Sequence, residues 1–261
     1  FMATSCCPAW SMMAKKLFPD YANCISMALT PMVLTARLIK QKEPDCKIVF
    51  IGPCTAKKAE IKRPEHFTEG QQDVDYVLTT TEVTRMIKEA GIDLSQIEPE
   101  ALDMPFGLSS GAAAIFGVTG GVTEAVLRRL VHSSRMEDLQ DISFTGIRGI
   151  EGIKEASIQL EDRTVKIAVV NGLRCAETLL ERIKAGEVQY DFVEVMACKR
   201  GCIAGGGQPV PIGPRTKQAR LDGMYKIDSM AQIKRSDENP IIAEVYEGIL
   251  KGKEHKLLHN R

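Results

Sequence analysis

One segment in the last third of the sequence, residues 194–209, constrains the fold more than any other. It carries Cys198 and Cys202 and, just after them, three consecutive glycines, and it overlaps an apolar run over 192–197. This pattern predicts a buried strand that ends by presenting thiolates to an inorganic cluster. The glycines at 205–207 would let the backbone approach the cluster and point N–H groups at it, and we expect several of them to have positive φ.

Length and charge exclude several classes of protein. The chain has 261 residues, enough for one large domain or two small ones, and its 34 basic and 34 acidic residues give a net charge of zero. A neutral chain lacks the basic surface of a general nucleic-acid-binding protein. No apolar run reaches the roughly 18 residues of a membrane span, and the first residues do not resemble a signal peptide. We therefore predict a cytoplasmic protein without a membrane span.

Cysteines are the most informative side chains of this sequence. They are Cys6, Cys7, Cys24, Cys46, Cys54, Cys175, Cys198 and Cys202. In a chain of this length without an export signal, metal or cluster binding is a better interpretation than disulfides. None of the histidines lies next to a cysteine cluster, so a mixed cysteine–histidine zinc site has no support. Cys24, Cys46 and Cys175 occur in apolar surroundings and are interpreted as small buried residues.

Helical and strand patterns alternate along the first part of the chain, which is typical of an α/β fold. Trp10, the only tryptophan, is interpreted as a core anchor. In open α/β sheets ligands gather where strands end, which favours a functional loop at Gly52-Pro53-Cys54. The predicted elements are helices over 8–17 and 32–42, a buried strand over 48–51, a strand over 76–78, and a helix that Thr79 and Glu82 begin with a capping box and that ends before Gly91.

The rest of the chain continues this alternation and ends in a polar, mostly helical tail. Residues 111–121 are rich in small side chains, which predicts either close helix packing or a wall pressed against a cofactor. The predicted elements are a helix over 122–132, antiparallel strands within 143–170 with a turn at 161–163, a helix over 172–185, a strand over 190–197, and helical segments at 230–233 and 241–250.

Four cysteines share one setting, because each lies at the end of a predicted strand or in a turn that contains proline. They are Cys7, Cys54, Cys198 and Cys202. Four thiolates are what a 4Fe-4S cluster requires. Zinc also accepts four cysteines, but usually as two close pairs, and only Cys198 and Cys202 form such a pair, so zinc stays a less favoured alternative. Neighbouring side chains diverge, so Cys6 is expected to have a different role from Cys7.

Three motifs together resemble the signature segments of the FeFe-hydrogenase catalytic domain. They are TSCCPAW, GPCTAKKAE and EVMACKRGCIAGGGQP, and they occur in the family's order. The resemblance implies an α/β fold with parallel-sheet lobes and flanking helices, a cluster in the cleft at the carboxyl ends of strands, and a helical C-terminal arm. It implies one hydrogenase domain over residues 1–209, completed by the arm over 210–261, and it implies that the family's domain extends upstream of Phe1.

The resemblance also implies roles for individual residues. Cys7, Cys54, Cys198 and Cys202 match the ligands of the 4Fe-4S part of the H-cluster, and Cys202 matches the thiolate that bridges to the di-iron subsite with its CO, CN and dithiolate ligands. Cys6 matches the thiol that exchanges protons with the dithiolate amine, and Lys57 the lysine that hydrogen-bonds a cyanide. The remaining matches are Pro31 and Phe116 lining the di-iron pocket, Met196 and Gly52 beside it, and Ser26 and Glu60 near the proton route.

By this resemblance the chain is expected to reduce protons reversibly to dihydrogen in anaerobic metabolism. Its expected partners are a ferredoxin-like electron carrier or upstream iron–sulfur domains, together with maturation proteins. The alternatives are a hydrogen- or redox-sensing module and a non-catalytic iron–sulfur relative. Gly52, Met32 and the pair Lys199-Arg200 depart from the family's usual methionine, glutamine and neutral residues. We hypothesise that the two cations raise the cluster's reduction potential by favouring its more negative reduced state.

Overall fold

The computed structural model describes residues 1–104, 106–130, 152–159, 163–210 and 213–259. The helices are α1 (Pro8–Leu17), α2 (Pro31–Lys42), α3 (Lys57–Glu60), α4 (Thr80–Glu89), α5 (Gly111–Ile115), α6 (Gly121–Leu130), α7 (Leu173–Lys184), α8 (Pro214–Met230), α9 (Pro240–Glu247) and α10 (Glu254–Leu258). The strands are β1 (Met2–Ala3), β2 (Val49–Gly52), β3 (Phe67–Thr68), β4 (Gln71–Gln72), β5 (Tyr76–Thr79), β6 (Ile153–Gln159), β7 (Thr164–Asn171) and β8 (Phe192–Met196).

The larger sheet has the order β1-β8-β7-β6 and is parallel except for β6, which pairs antiparallel with β7. Side chains alternate across β7: Ala168 and Val170 pack on one face with α1 and α7, whereas Ile167 and Val169 pack with Leu127 of α6 on the other. Helices therefore cover both faces, as the apolar run over 165–170 predicts. The antiparallel pairing of β6 and β7 is confirmed.

A second sheet pairs β2 and β5 in parallel, with Val49 opposite Tyr76 and Gly52 opposite Thr79. Its inner face packs on the α2 side chains Met32 and Val33. Its outer face is open: Val49 is 46%, Ile51 57% and Tyr76 59% exposed. The prediction of a wholly buried strand over 48–51 was therefore wrong. Alternating side chains bury only every second residue of a strand that is covered on one face.

Helix boundaries follow local signals closely. The predicted helix over 8–17 is confirmed, with Pro8 in its first turn and Trp10 only 2% exposed. Before α4, the Thr79 hydroxyl accepts the Glu82 N–H and the Glu82 carboxylate accepts the Thr79 N–H, which is the predicted capping box. The helix predicted at 230–233 was wrong, since α8 ends at Met230 and the next helix begins at Pro240.

The C-terminal arm packs against two different parts of the molecule. Leu221, Met224 and Tyr225 of α8 contact the cluster of Ile115, Val118 and Ile203. Further on, Ile241, Val245, Leu250 and Leu257 surround Leu38 of α2. The arm therefore contributes core residues in addition to covering the surface.

Several predictions lie outside the described residues. They are the helix end at 131–132, the β segment before residue 152 and the turn at 161–162. Cys24, Cys46 and Cys175 are half-buried, which corrects their interpretation as buried core residues. Within the part of the chain that the structure describes, no helix combines the length and apolar character needed to cross a membrane.

Candidate functional site

Three separate segments meet at one cleft of about 290 Å³. The first precedes α1, the second follows β2, and the third follows β8. The cleft is lined by most of the residues singled out from the sequence, namely Cys6, Cys7, Pro31, Cys54, Lys57, Phe116, Met196, Cys198 and Cys202. It lies where strands of the two sheets end, as expected for an α/β protein.

Glycines bring the second and third segments together. The Gly207 N–H donates to the Pro53 carbonyl at 2.9 Å, and a Cβ on Gly205 would lie 2.4 Å from that same oxygen. Gly206 directs its N–H at the Cys198 sulfur, as predicted. None of the glycines at 205–207 has positive φ, so that part of the prediction was wrong. Their small size serves close backbone packing, which holds Cys54 beside Cys198 and Cys202.

Gly201 ties the cysteine loop to the small-residue segment. Its φ is +85°, and a Cβ there would lie 2.7 Å from the Thr119 nitrogen. Next to it, the Ile203 N–H donates to the Gly117 carbonyl at 3.1 Å. Phe116 and Gly117 line the cleft, whereas Gly111 packs on Asp228. Close packing is confirmed for part of residues 111–121, and the prediction that this segment forms a wall against a cofactor stays a prediction.

Four cysteine thiols line the same cleft, those of Cys7, Cys54, Cys198 and Cys202. Among the described residues, no three His, Cys, Asp or Glu side chains are arranged to hold a single metal ion. Burial, and then the charges of Cys7 and Cys54, raises the pKa of the Cys202 thiol to about 12. Four neighbouring thiolates repel one another, so they ionise together only around a cationic centre. A cluster with several irons suits such a set better than one zinc ion.

Backbone N–H groups favour the ionised form of two of these thiols. The backbone N–H groups of Ala197 and Trp10 lower the pKa of the Cys7 thiol, at the start of α1, although burial, the larger effect, raises it. The sulfur of Cys198 accepts from the Gly206 N–H, which lowers the pKa of this thiol, whereas burial, as for Cys7, raises it. Such N–H···S hydrogen bonds stabilise thiolate charge, which a cluster requires.

Cys6 lines the same cleft but is set apart chemically. Burial, followed by the nearby charge of Glu194, raises the pKa of its thiol far above the ordinary value. Cys6 therefore stays protonated at neutral pH. A protonated thiol beside four ligand cysteines is suited to holding and passing a proton rather than to binding metal.

Lys57 is a half-buried cation at the edge of the cleft. Its Nζ donates to Glu60 Oε2 at 2.8 Å and lies 5.5 Å from the ring centroid of Phe50. Its side chain is 12% exposed and that of Glu60 is 0% exposed. A lysine fixed in this way has further N–H groups available for an anion in the cleft.

Three predicted residues lie outside the cleft. Ser26 and Glu60 line a separate neighbouring cavity, with the Lys57–Glu60 pair between the two spaces. Gly52 is buried, and a Cβ there would lie 2.7 Å from the Phe50 ring. The ring of Phe50 therefore takes the space above Gly52 and forms the wall of the cleft, a role that the sequence did not indicate.

Glu194 is another residue that the sequence analysis missed. It is 0% exposed in β8, and its carboxylate accepts from the N–H groups of Gly120 and Thr123 at 2.7 Å each. Burial nevertheless raises its pKa. By holding the start of α6 against β8, it positions the Phe116 wall beside Met196. A carboxylate inside an apolar strand was the available signal.

Comparisons with known proteins identify the family to which the chain belongs. The family model described as iron only hydrogenase large subunit, C-terminal domain, matches residues 1–206, and the model described as iron hydrogenase small subunit matches 214–261. The NADP-reducing hydrogenase subunit HndD of Solidesulfovibrio fructosivorans is 39% identical over 98% of this chain and 46% of its own length. This chain thus spans about half the length of that relative.

Two further relatives show how far the similarity extends. A structure of an apo variant of the [FeFe]-hydrogenase HydA1 from Chlamydomonas reinhardtii matches with a TM-score of 0.82 and 33% identity, over 100% of this chain and 75% of that one. Cytosolic iron-sulfur assembly component 3 of Rattus norvegicus is 33% identical over 100% of this chain and 58% of its own length. The predicted fold class is confirmed, and the chain belongs to the iron-only hydrogenase large-subunit family.

Proposed function

We propose that this protein is the catalytic part of an iron-only hydrogenase that reversibly reduces protons to dihydrogen at an H-cluster. One observation carries the proposal: four ligand-type cysteines from three segments share a cleft with a protonated fifth thiol and a half-buried lysine. The family match supports the same reading. The cofactor, when bound, supplies an open iron site and a base; the protein supplies position, protons and exclusion of water.

The roles of the residues follow from their chemistry. Cys7, Cys54, Cys198 and Cys202 would hold the 4Fe-4S part, with Cys202 also serving the di-iron part. Lys57 orients an anionic ligand by a charge-assisted hydrogen bond. Cys6 moves a proton between the cleft and the protein, and Ser26 and Glu60 lie on the side from which protons arrive. The apolar surfaces of Pro31, Phe116 and Met196 exclude water from the cleft.

Electrons must come from another protein or domain. We propose a ferredoxin-like carrier or upstream iron–sulfur domains as the source, and maturation proteins as the suppliers of the di-iron part. A cytoplasmic location and an anaerobic context belong to the same proposal.

The test is to produce the protein together with the cofactor-maturation machinery, and then to measure iron, infrared absorption and dihydrogen production. The proposal expects a 4Fe-4S content with additional iron, infrared bands of iron-bound CO and CN, and dihydrogen from a reduced carrier. Protein that takes up a 4Fe-4S cluster but never shows those bands, under conditions that load a known hydrogenase, would contradict it.

A second candidate is a non-catalytic iron–sulfur protein, which the similarity to the assembly component favours. It predicts a plain cluster without CO and CN bands. A sensing module, the third reading, would show the bands with slow turnover. The departures at Gly52 and at Lys199-Arg200 lie close to the ligand cysteines and favour it mildly. The absence of the bands identifies the non-catalytic protein, and a low ratio of dihydrogen production to band intensity separates the sensing module from the first reading.

A further inference from the structure

A second cavity, of about 600 Å³, lies beside the cysteine cleft and has a lining of mixed polar and apolar side chains. Serine and threonine hydroxyls, the Glu60 carboxylate and the His66 imidazole line it together with several charged side chains. A cavity of this size can hold water where each water finds several hydrogen-bond partners, as it does among these polar groups. The cavity therefore offers a hydrated space next to the Lys57–Glu60 pair.

Three buried polar atoms of this lining have no protein partner among the described residues. They are Thr30 Oγ1, Glu60 Oε1 and His66 Nε2. The residues that carry them are 4%, 0% and 1% exposed, respectively. Buried polar atoms without a partner are rare, and they normally indicate bound water or a functional group that exchanges protons.

The hydrogen bonds of His66 define its tautomer. Its Nδ1 lies 2.8 Å from the Glu60 carbonyl oxygen, which can only accept, so Nδ1 carries a hydrogen. In the neutral imidazole Nε2 is then an acceptor, and so is Glu60 Oε1. Both atoms require donors, and the water of the cavity is the donor available.

Glu60 connects this cavity to the cleft. Its Oε2 accepts from Lys57 Nζ at 2.8 Å, and Lys57 lines the cysteine cleft while Glu60 lines the cavity. Protons that reach Glu60 are therefore one hydrogen bond away from a side chain of the cleft.

We propose that His66 is a proton-transfer residue, which passes protons through the water of this cavity to Glu60. The inference rests on the proposed function. In one transfer the Nε2–H bond of the imidazolium breaks, a cavity water takes that proton, and a proton of the water forms the O–H bond on Glu60. The imidazole returns to its Nδ1–H form, and Glu60 holds the proton at the edge of the cleft, where Lys57 remains the cation. No electron moves in these steps.

The charges around His66 leave it free for this role. Lys15 comes from α1, while Glu60, Arg63 and Glu65 come from α3 and the turn that follows it. Arg63 is held by the Pro8 carbonyl, to which its Nη2 donates at 3.1 Å. Behind His66, Asp73 is paired with Arg37 at 2.9 Å. Among the described residues, no cation and no carboxylate forms a hydrogen bond with His66 Nε2.

The main test compares His66→Gln and His66→Ala with the parent protein after maturation. Glutamine retains hydrogen bonding but cannot carry a proton, so we expect about a tenfold lower rate of dihydrogen production and a larger solvent isotope effect. Iron content and the CO and CN bands should be unchanged. Free imidazole should restore the rate of His66→Ala, since the cavity is large enough to admit it. His255→Gln, an exposed histidine, is the matched control and should have no effect.

Unchanged rate and isotope effect in His66→Gln, with intact bands, would overturn the inference and leave the proposed function standing. A parent protein without CO and CN bands would overturn the proposed function instead. In that case ¹⁵N spectra of the histidines in the unloaded protein still test His66. We expect a neutral Nδ1–H tautomer, because Nδ1 faces the Glu60 carbonyl oxygen. The opposite tautomer would reject the inference.

Discussion

At the scale of single residues, Arg200 carries the clearest sign of strain. Its φ is +80°, a region that non-glycine residues rarely adopt, and its N–H is held by Asn171 Oδ1 at 2.7 Å. It lies between the ligand-type cysteines Cys198 and Cys202. Retained strain at such a position points to a role for the charged side chain.

Arg200→Gly should therefore raise the free energy of unfolding by about 1 kcal/mol, since glycine adopts positive φ without strain. In matured protein it should also lower the cluster's reduction potential, because a cation is lost. Denaturant unfolding and a redox titration measure the two effects. Lys199→Ala is the control: it should lower the potential without the gain in stability. A potential unchanged in both variants ends the hypothesis of cationic tuning.

Cys6 and Cys54 should behave differently when replaced, although both line the cleft. Cys6→Ala retains all four proposed ligands, so we expect full iron content but at least about a hundredfold less dihydrogen, because a proton donor is lost. Cys54→Ser should lose iron. Iron analysis and an activity assay distinguish the two, and Cys175→Ser should change neither quantity. Loss of iron from Cys6→Ala would place Cys6 among the ligands.

At the scale of elements, the second sheet is held to α4 by the capping box at its start. The Glu82 carboxylate accepts from Lys58 Nζ at 2.5 Å and from the Thr79 N–H at 2.7 Å. The hydrogen bond from Lys58, and to a smaller extent those from Thr79, lower the pKa of Glu82 from an ordinary value of 4.5 to about 2. Because α3 precedes α4 and carries Lys58, this carboxylate also fixes α3, which bears Lys57 and Glu60.

The stability from Glu82 should depend on pH in a defined window. A carboxylate whose pKa is depressed in the folded state stabilises the fold fully at pH values above its unfolded-state pKa of 4.5. This contribution to the free energy of unfolding is lost as the pH falls from 4.5 to about 2. The difference in unfolding free energy between the parent protein and Glu82→Gln should shrink over this interval. Glu89→Gln, at the exposed end of α4, is the control. A difference that stays constant from pH 7 to pH 2 would contradict the assignment.

At the scale of the whole molecule, a buried ion network joins the C-terminal arm to the domain. Arg128 of α6 donates to both Asp228 oxygens at 2.7 Å and to Glu124 at 2.6 Å. Arg128 is 3% exposed, so its charge depends on these carboxylates. The network lies behind α5, the helix that leads into Phe116, and it therefore connects the arm to the wall of the cleft.

Asp228→Ala should cost about 3–5 kcal/mol in unfolding free energy, because it leaves a buried guanidinium short of a partner. Asp222→Ala, an exposed position on the same helix, should cost little. Denaturant unfolding of both variants measures the contrast. Equal losses would show that the network does not hold the arm.

Much of the local structure was predictable because its causes are local. Pro8 begins α1, the Thr79–Glu82 box begins α4, and the apolar run ending at Val170 forms a central strand. The errors arose at residues whose burial depends on whether a distant element covers them. Val49 and Ile51 have the composition of buried residues, but no described element covers their face of the sheet.

For the site, the motifs by themselves indicated which thiols line the cleft and which family the chain resembles, since cysteine chemistry and its glycine neighbours are written in contiguous residues. Only the tertiary structure decided how those thiols meet. It brought Phe50 over Gly52, anchored α6 on Glu194, and placed Glu60 and His66 on a second cavity. The anchor at Glu194 and the lining of the second cavity join residues far apart in the chain, and their energy comes from packing and burial, which no local pattern encodes.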